Sequence, residues 1–489
     1  MYNNLEELIK HPVFHHFAEI SKIPRGSGNE KEISDYLVKF AKERNLEVVQ
    51  DHAFNVIIKK PAIAGYENVP TIIIQGHMDM VCEKNEATVH DFEKDPIQLR
   101  IEGDMLYANH TTLGADNGIA VAYALSLLDA NDIPHPALEV VITTEEETTM
   151  GGAFAVDPSL FSGKIFINID SEEDHKLLVS SAGGAKAVET ISIVWEETPA
   201  NVLSYRLFVS GLKGGHSGME IDKERGNANK ILGRVLYDLS NEIAFSMSDV
   251  NGGLKTNAIP RESAATILLS ESDVQKVEEK VKEWTSILQE ELRAVDPDVN
   301  VSLTKLEETV ENVFAKETQK QLISSLFLIP NGIQNMSMEI KGLVESSTNL
   351  GVVETLHNEI KLRNEVRSSV KSLKQHIVNE IKHIAEVVGA QFEKESEYPE
   401  WPYNPNSSIR SLFEKVHKEK YGKEVEVFAV HAGIECGVFM EKIPGLDAIS
   451  LGPDMFHVHT PDEHVSIPSV MNNWEYFIEV LRETKSLIK

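Results

Sequence analysis

A chain of 489 residues is longer than the roughly 250–300 at which a single core stops growing, so at least two domains are expected. Hydrophobic residues at 42% and charged residues at 25% are ordinary for a water-soluble globular protein, and the formal net charge of -30 argues against nucleic acid or an anionic membrane as partner. The 2 cysteines, Cys82 and Cys436, form no disulfide framework, no run reaches the roughly 18 apolar residues of a membrane span, and the first residues lack a signal-peptide pattern, so a cytoplasmic address is expected.

In chain order, the apolar spacing from Asn4 to Lys22 predicts one amphipathic helix. A Gly/Ser loop, IPRGSGNE, runs into a second helix, and EVVQDHAFNVIIKKP alternates like one or two strands. TIIIQGHMD (71–79) is a short continuous apolar run, as expected of a strand buried on both faces. IAVAYALSLLDA reads as a helix, and ALEVVITTEEE and KIFINIDSEED as further buried strands. Buried strands separated by helices imply a mixed, mostly parallel sheet flanked by helices, an α/β architecture with ligands beyond the carboxyl ends of the strands.

After about Ala185 the strands become amphipathic and the helices charged. YRLFVSGL, NANKILGRVLYDLSNE, AATILLS, VQKVEEKVKEWTSILQEELRAV and NVSLTKLEE read as strand, helix, strand, helix, strand. KETQKQLISSLFLI, GVVETLH, EIKLRNEV, SLKQHIVNEIKHIAEVVG and AQFEKESE repeat much of that order, and Lys255-Thr256-Asn257 is echoed by Ser347-Thr348-Asn349. We expect an inserted α+β domain of two similar halves over 186–399, interrupting a first domain made of 1–185 and 400–489. YPEWPYNPNS (398–407) reads as the linker back, and EVEVFAV and DAISLG as strands rejoining the first sheet.

Five pieces carry candidate metal ligands: GHMDM (76–80), TLGADNG (112–118), TTEEETTMGG (143–152), NIDSEED (168–174) and HVHTPDE (457–463). They supply His77, Asp116, Glu147, Asp170 and His459, a His and carboxylate set suited to zinc, with Asp116 placed to bridge two ions. His77 and Asp79 lie two apart on an extended chain and face the same way, so Asp79 can orient the imidazole. In Glu145-Glu146-Glu147 one acid can ligate while its neighbour serves as general base. Singly, each piece reads as a satisfied loop pair, a solvated helix start or a plain turn; five of them in order along one sheet edge point to a metal site.

These motifs, with KGGHSGMEI, HAGIECG and GPDMFHVHTPDE, resemble the aminoacyl-histidine dipeptidases, cytosolic Xaa-His (β-alanyl-histidine) dipeptidases of the M20 metallopeptidase family, over nearly the whole chain. The resemblance implies two Zn²⁺ ions per chain, with Co²⁺ or Mn²⁺ as substitutes, in a di-zinc catalytic domain interrupted by a lid or dimerisation domain. His77 and Asp170 would hold one ion and Glu147 and His459 the other, with Asp116 bridging and a cis peptide after it. Glu146 would be the general base and Asp79 the orienting acid, while His216 would steady the oxyanion. Asn257, Arg367 and the 431–435 loop, with His431 and Gly433, would grip the substrate termini, Arg363 being the alternative clamp. The implied reaction is hydrolysis of dipeptides with free termini, such as β-Ala-His, by a chain that can pair through its lid as a homodimer. The rivals are another M20 amidohydrolase (tripeptidase, carboxypeptidase or N-acyl amino acid hydrolase) and a non-catalytic binding protein on the same fold.

Overall fold

The computed structural model describes residues 4–307 and 310–488. The chain folds as two compact units. The first comprises the chain up to Ser180, Tyr403–Ala429, and the residues from Ile434 on; the second comprises Ser181–Pro402 with Val430–Gly433.

The first unit is built on an eight-stranded sheet. At its centre Leu138–Thr143, Ile72–His77, Ile165–Asn168 and Asp447–Ser450 run parallel. Val56–Lys60 and Glu47–Gln50 extend one edge antiparallel, and Lys176–Ser181 and Glu426–Val430 extend the other. Every residue of Ile72–His77 and of Leu138–Thr143 is buried, as the continuous apolar runs require. Each buried Ile or Val there contributes about 1.5–3 kcal/mol of hydrophobic stabilisation. Helix Ala115–Asp129 is buried along almost its whole length, and Lys60 Nζ closes its last turn by donating to Leu127 O at 2.9 Å and Leu128 O at 3.2 Å. The single N-terminal helix expected from the apolar spacing is instead two, Leu5–Leu8 and Pro12–Ile20. Pro12 has no N–H to continue the first helix and is preorganised to start the second.

A smaller antiparallel sheet orders Met455–Phe456, His464–Ser466, Met105–Ala108 and Leu99–Glu102. His464 pairs with Tyr107 and their rings stack at 4.4 Å. Two loops leave these neighbouring strands, the one carrying Asp116 and the one carrying His459.

The second unit holds a nine-stranded sheet with a mirrored plan. Strand, helix, two strands, helix, strand occurs twice. One copy is Val202–Ser210, Ala228–Glu242, Phe245–Gly252, Ser263–Ser270, Val274–Glu291 and Asn300–Lys305. The other is Gly183–Ser192, Lys316–Leu328, Val344–Thr355, Glu359–Ser368, Lys371–Val388 and Gln391–Tyr398. Across the sheet each copy places its last, first, third and second strand in that order from the edge inward. The copies meet where Asn251 pairs with Glu354 and Gly252 with Val353. Sequence reading missed the opening strand of the second copy, because Gly183–Ser192 is separated from its partners by the entire first copy. The tripeptide echo marks no equivalence. Lys255-Thr256-Asn257 lies in a loop and Ser347-Thr348-Asn349 in a strand, where Asn349 Nδ2 donates to Thr256 O at 2.8 Å. Glu308, the last residue of the stretch read as NVSLTKLEE, lies outside the described residues.

The Pro/Asn-rich 398–407 segment is firmly packed at its start. Trp401 is 1% exposed and exchanges backbone hydrogen bonds with Ser181 at 3.0 and 3.1 Å. Both cysteines are free, Cys82 exposed and Cys436 buried. Among the described residues no helix is long and apolar enough to cross a membrane.

Candidate metal centre

The central parallel strands of the first unit deliver the candidate ligands at their carboxyl ends. His77 ends one strand, Glu145-Glu146-Glu147 follow Leu138–Thr143, and Asp170 follows Ile165–Asn168. The 457–463 hairpin loop brings His459 in with a left-handed backbone, φ 62°. Asp116 sits at the start of helix Ala115–Asp129, off helical geometry (φ -78°, ψ 107°), and its peptide to Asn117 is cis. Gly114 before it has φ 67°, and a Cβ there would lie 2.4 Å from Arg25 Nη2, so glycine alone fits.

His77 Nε2 lies 3.2 Å from Asp116 Oδ1, 3.5 Å from Asp170 Oδ1 and 4.0 Å from Glu146 Oε2. His459 Nε2 lies 3.1 Å from Asp116 Oδ2 and 3.0 Å from Glu147 Oε2. Asp116 thus turns one oxygen to each histidine. Three sets, His77/Asp116/Asp170, His77/Glu146/Glu147 and Asp116/Glu147/His459, each bring their ligand atoms within 4.8 Å of one another. The donor set fits a divalent cation. Four carboxylates crowd two imidazoles, and Glu147 Oε1 is buried with no hydrogen-bond partner.

The electrostatics show the same demand for positive charge. Hydrogen bonds to Asp116 and Glu147 push the His459 imidazole up to about 11. His77 is raised well above its usual value, because Asp170, Asp116 and Asp79 outweigh its burial. Burial, reinforced by the Asp116 and Glu147 charges, pushes Asp170 up to about 6 against the pull of His77. Glu146 is held well above the usual carboxylate range by burial first, then by the charges of Asp170, Glu435 and Asp116.

Asp79 is fully buried behind His77. Its Oδ1 lies 3.3 Å from His77 Nδ1, which also meets the Asp79 backbone oxygen at 3.1 Å. The same carboxylate accepts the backbone N–H of Glu146 at 3.1 Å, that of Glu147 at 3.3 Å, and the Ser27 hydroxyl at 2.7 Å. Glu30 accepts the N–H of Glu145 at 3.1 Å. Arg25, fully enclosed, donates to Met78 O at 3.0 Å and to Gly114 O. The loop read from sequence only as a Gly/Ser connector therefore braces three of the ligand-bearing segments, and the charged and hydroxyl residues spaced through RGSGNE were its only signal. Beneath the ligands, Glu435 Oε2 accepts from Thr143 Oγ1 at 2.7 Å and from Gln75 Nε2, and burial pushes its carboxyl up to about 8.

The remaining candidates lie in the second unit. His216 Nδ1 accepts the N–H groups of Gly218 at 3.1 Å and Met219 at 3.0 Å, which leaves the proton on Nε2. Burial, then the Arg367 charge, lowers its pKa, so the ring is a neutral Nε2–H donor. Asn257 is exposed beside it, its carbonyl accepting Ser217 N–H at 2.9 Å. Arg367 is buried, donates to Tyr398 OH at 2.7 Å, lies 3.7 Å from Glu365, and leaves Nε without a partner. Arg363, the alternative clamp, is engaged by Glu354 at 3.1 Å and by Glu395. His431 meets Ser347 Oγ at 2.7 Å, and burial together with the Arg367 charge lowers it to about 3. Gly433 packs on the Tyr398 ring, where a Cβ would come within 2.4 Å. Arg367, His431 and Gly433 therefore share one neighbourhood around Tyr398, a residue that sequence reading passed over.

Known proteins resemble this chain in sequence and in fold. The family model described as "Peptidase family M20/M25/M40" matches residues 73–483. The cytosol non-specific dipeptidase of Escherichia coli (strain K12) is 37% identical over 481 residues, 98% of this chain and 99% of that protein. The crystal structure of aminoacylhistidine dipeptidase from Vibrio alginolyticus has a TM-score of 0.93 at 37% identity, covering 98% of each chain. A tripeptidase from Staphylococcus aureus has a TM-score of 0.56 at 16% identity, covering 98% of this chain and 99% of that one, a likeness of fold alone. The chain belongs to peptidase family M20/M25/M40.

Proposed function

We propose that this chain is a metal-dependent dipeptidase that cleaves dipeptides with free termini, Xaa-His substrates such as β-Ala-His among them, in the cytoplasm. The observation that carries the reading is Asp116, whose two oxygens face His77 at 3.2 Å and His459 at 3.1 Å, each histidine with a further carboxylate beside it. That is the arrangement two cations sharing one ligand require. His77 and Asp170 would hold one Zn²⁺, Glu147 and His459 the other, and Asp116 both; Co²⁺ or Mn²⁺ suit the same donors. Bound there, the ions would supply Lewis-acid polarisation of the scissile carbonyl and an acidified water.

The chain's own residues do the rest. Glu146 takes the proton of the attacking water on its carboxylate and returns it to the leaving amine. Asp79 keeps His77 in the tautomer with Nε2 free for a ligand and, through two backbone N–H groups, sets where Glu146 begins. His216 offers Nε2–H to the developing oxyanion. Arg367 is the clamp for the substrate carboxylate, since Arg363 is spent on two glutamates. Asn257, His431 and Gly433 shape the remaining substrate contacts, and the first and second units act as catalytic and lid domains of a homodimer.

The kinship at 37% identity with one protein called a non-specific dipeptidase and one called an aminoacylhistidine dipeptidase supports the reaction class and leaves breadth to experiment. Zinc-loaded and chelator-treated protein is to be assayed on β-Ala-His, Gly-His, Leu-Leu, a tripeptide and an N-acyl amino acid. Metal-dependent cleavage of the Xaa-His dipeptides, with the last two spared, is expected. Cleavage of the tripeptide or acyl amino acid in preference to every dipeptide would overturn the assignment.

A further inference from the structure

The 457–463 loop carries more than a candidate ligand. Four residues beyond His459, Glu463 turns into the protein and is 2% exposed. Its Oε2 accepts the backbone N–H groups of Leu113 at 2.7 Å and Gly114 at 2.9 Å. Its Oε1 accepts those of Ala115 at 2.8 Å and Asp116 at 3.4 Å. Four consecutive donors, ending at Asp116 itself, thus converge on one carboxylate. They are the N–H groups of the turn that runs into the kink at Asp116 and Asn117, buried donors that need an acceptor. On the same loop, Arg25 Nη2 donates to Gly114 O while Nη1 donates to Met78 O at 3.0 Å, next to Asp79. The loop is held both by its N–H groups, on Glu463, and by a carbonyl, on Arg25.

A buried carboxylate is expensive to enclose, and a turn's N–H groups alone would be served by a neutral Ser, Thr or Asn from the adjoining chain. Glu463 instead arrives across 347 residues of sequence, from the loop that also delivers His459. The strands behind the two loops are paired, His464 on Tyr107 and Val465 on Leu106. Asp116 and His459, 3.1 Å apart, are therefore tied together a second time through Glu463.

We propose that Glu463 is a positioning residue that joins the Asp116 loop and the His459 loop into one rigid cation-binding frame. Asp116 faces both histidines, so loosening it would weaken both halves of the centre together. This rests on the residue set named above for the ions but not on the identity of the substrate.

The test is Glu463→Gln. The amide keeps the size, loses the charge, and turns an NH₂ group toward N–H donors. Zinc binding to the metal-free chain is measured by calorimetry without substrate, the visible spectrum is recorded after cobalt loading, and the metal-free chain is melted. Affinity about 10–100-fold weaker at both steps is expected, with a changed cobalt spectrum and a drop in the metal-free melting temperature too small to account for the loss. In turnover, kcat should fall while KM for the dipeptide is held. Parent-like zinc affinity and cobalt spectrum would overturn the proposal, as would a loss accounted for wholly by a lower metal-free melting temperature. If the Gln variant does not fold, Glu463→Asp replaces it; the charge stays but the reach is one methylene short, and parent-like affinity there also overturns the proposal. Failure of the parent to cleave any dipeptide would defeat the functional reading and leave these binding results standing.

Discussion

Asp79 accepts the backbone N–H of Glu146 at 3.1 Å while its carboxylate lies 3.3 Å from His77 Nδ1. One buried acid thus sets both His77, a candidate metal ligand, and the backbone from which the proposed base projects. Ligand orientation and base position are in this way mechanically linked.

That linkage predicts distinct outcomes at Glu146 and Asp79. Glu146→Gln keeps the backbone bond to Asp79 and removes only the proton carrier, so kcat should drop by about 10²–10⁴. Zinc stoichiometry should be retained. Asp79→Asn should lower zinc affinity as well as kcat, because the amide disturbs the His77 tautomer. Parent-like turnover by Glu146→Gln would remove it as the base.

Asp116→Asn should abolish tight binding of both ions, since one oxygen serves each histidine. Calorimetry should show no high-affinity site. A retained single site would mean that Asp116 belongs to one ion only.

Arg367 and Arg363 should separate in kinetics. Arg367→Lys loses the planar fork and should raise KM for dipeptides at least about tenfold, the weight of one charge-assisted hydrogen bond. A C-terminal dipeptide amide, already a poor substrate, should be little affected. Arg363→Ala, which releases two partly exposed ion pairs, should change neither kcat nor KM. The reverse pattern would reassign the clamp.

Helix Pro12–Ile20 carries a pH test of stability. Burial, then the charge on His15, lowers His16 to about 4 from an ordinary 6.5, and the ring packs edge-on against Phe40. A histidine with a depressed native pKa stays neutral when folded, whereas the unfolded chain takes up a proton below 6.5. Stability is therefore lost as pH falls from 6.5 towards 4, by about 1 kcal/mol per pH unit. His16→Leu also removes an unpaired buried Nδ1, and urea midpoints should show a shallower decline between neutral and mildly acid pH. An unchanged slope would show that other groups govern acid sensitivity.

The elements legible in the sequence were those whose cause is local. Ile72–His77 and Leu138–Thr143 were readable because a strand buried on both faces must be apolar throughout. The helices of the second unit were readable because amphipathic spacing repeats every turn. His77, Glu147 and Asp170 stood out because acids and imidazoles directly after buried strands need a reason, and Asp116 and His459 because their loop motifs complete the same set. The split of the first helix at Pro12 was equally local and was overlooked.

What only the tertiary structure decided are the relationships between distant segments. Ser27 on Asp79, Glu30 on the N–H of Glu145, Glu435 under Thr143 and Glu463 on the N–H of Asp116 each join residues at least 52 apart in sequence. Tyr398 as the common neighbour of Gly433 and Arg367 is equally a product of the fold, as is the strand Gly183–Ser192 completing a copy that resumes beyond residue 300. A hydrogen bond or strand pairing across such separations leaves no periodicity in the chain, because its partners are chosen by where the sheet's carboxyl edge and the loops converge in space.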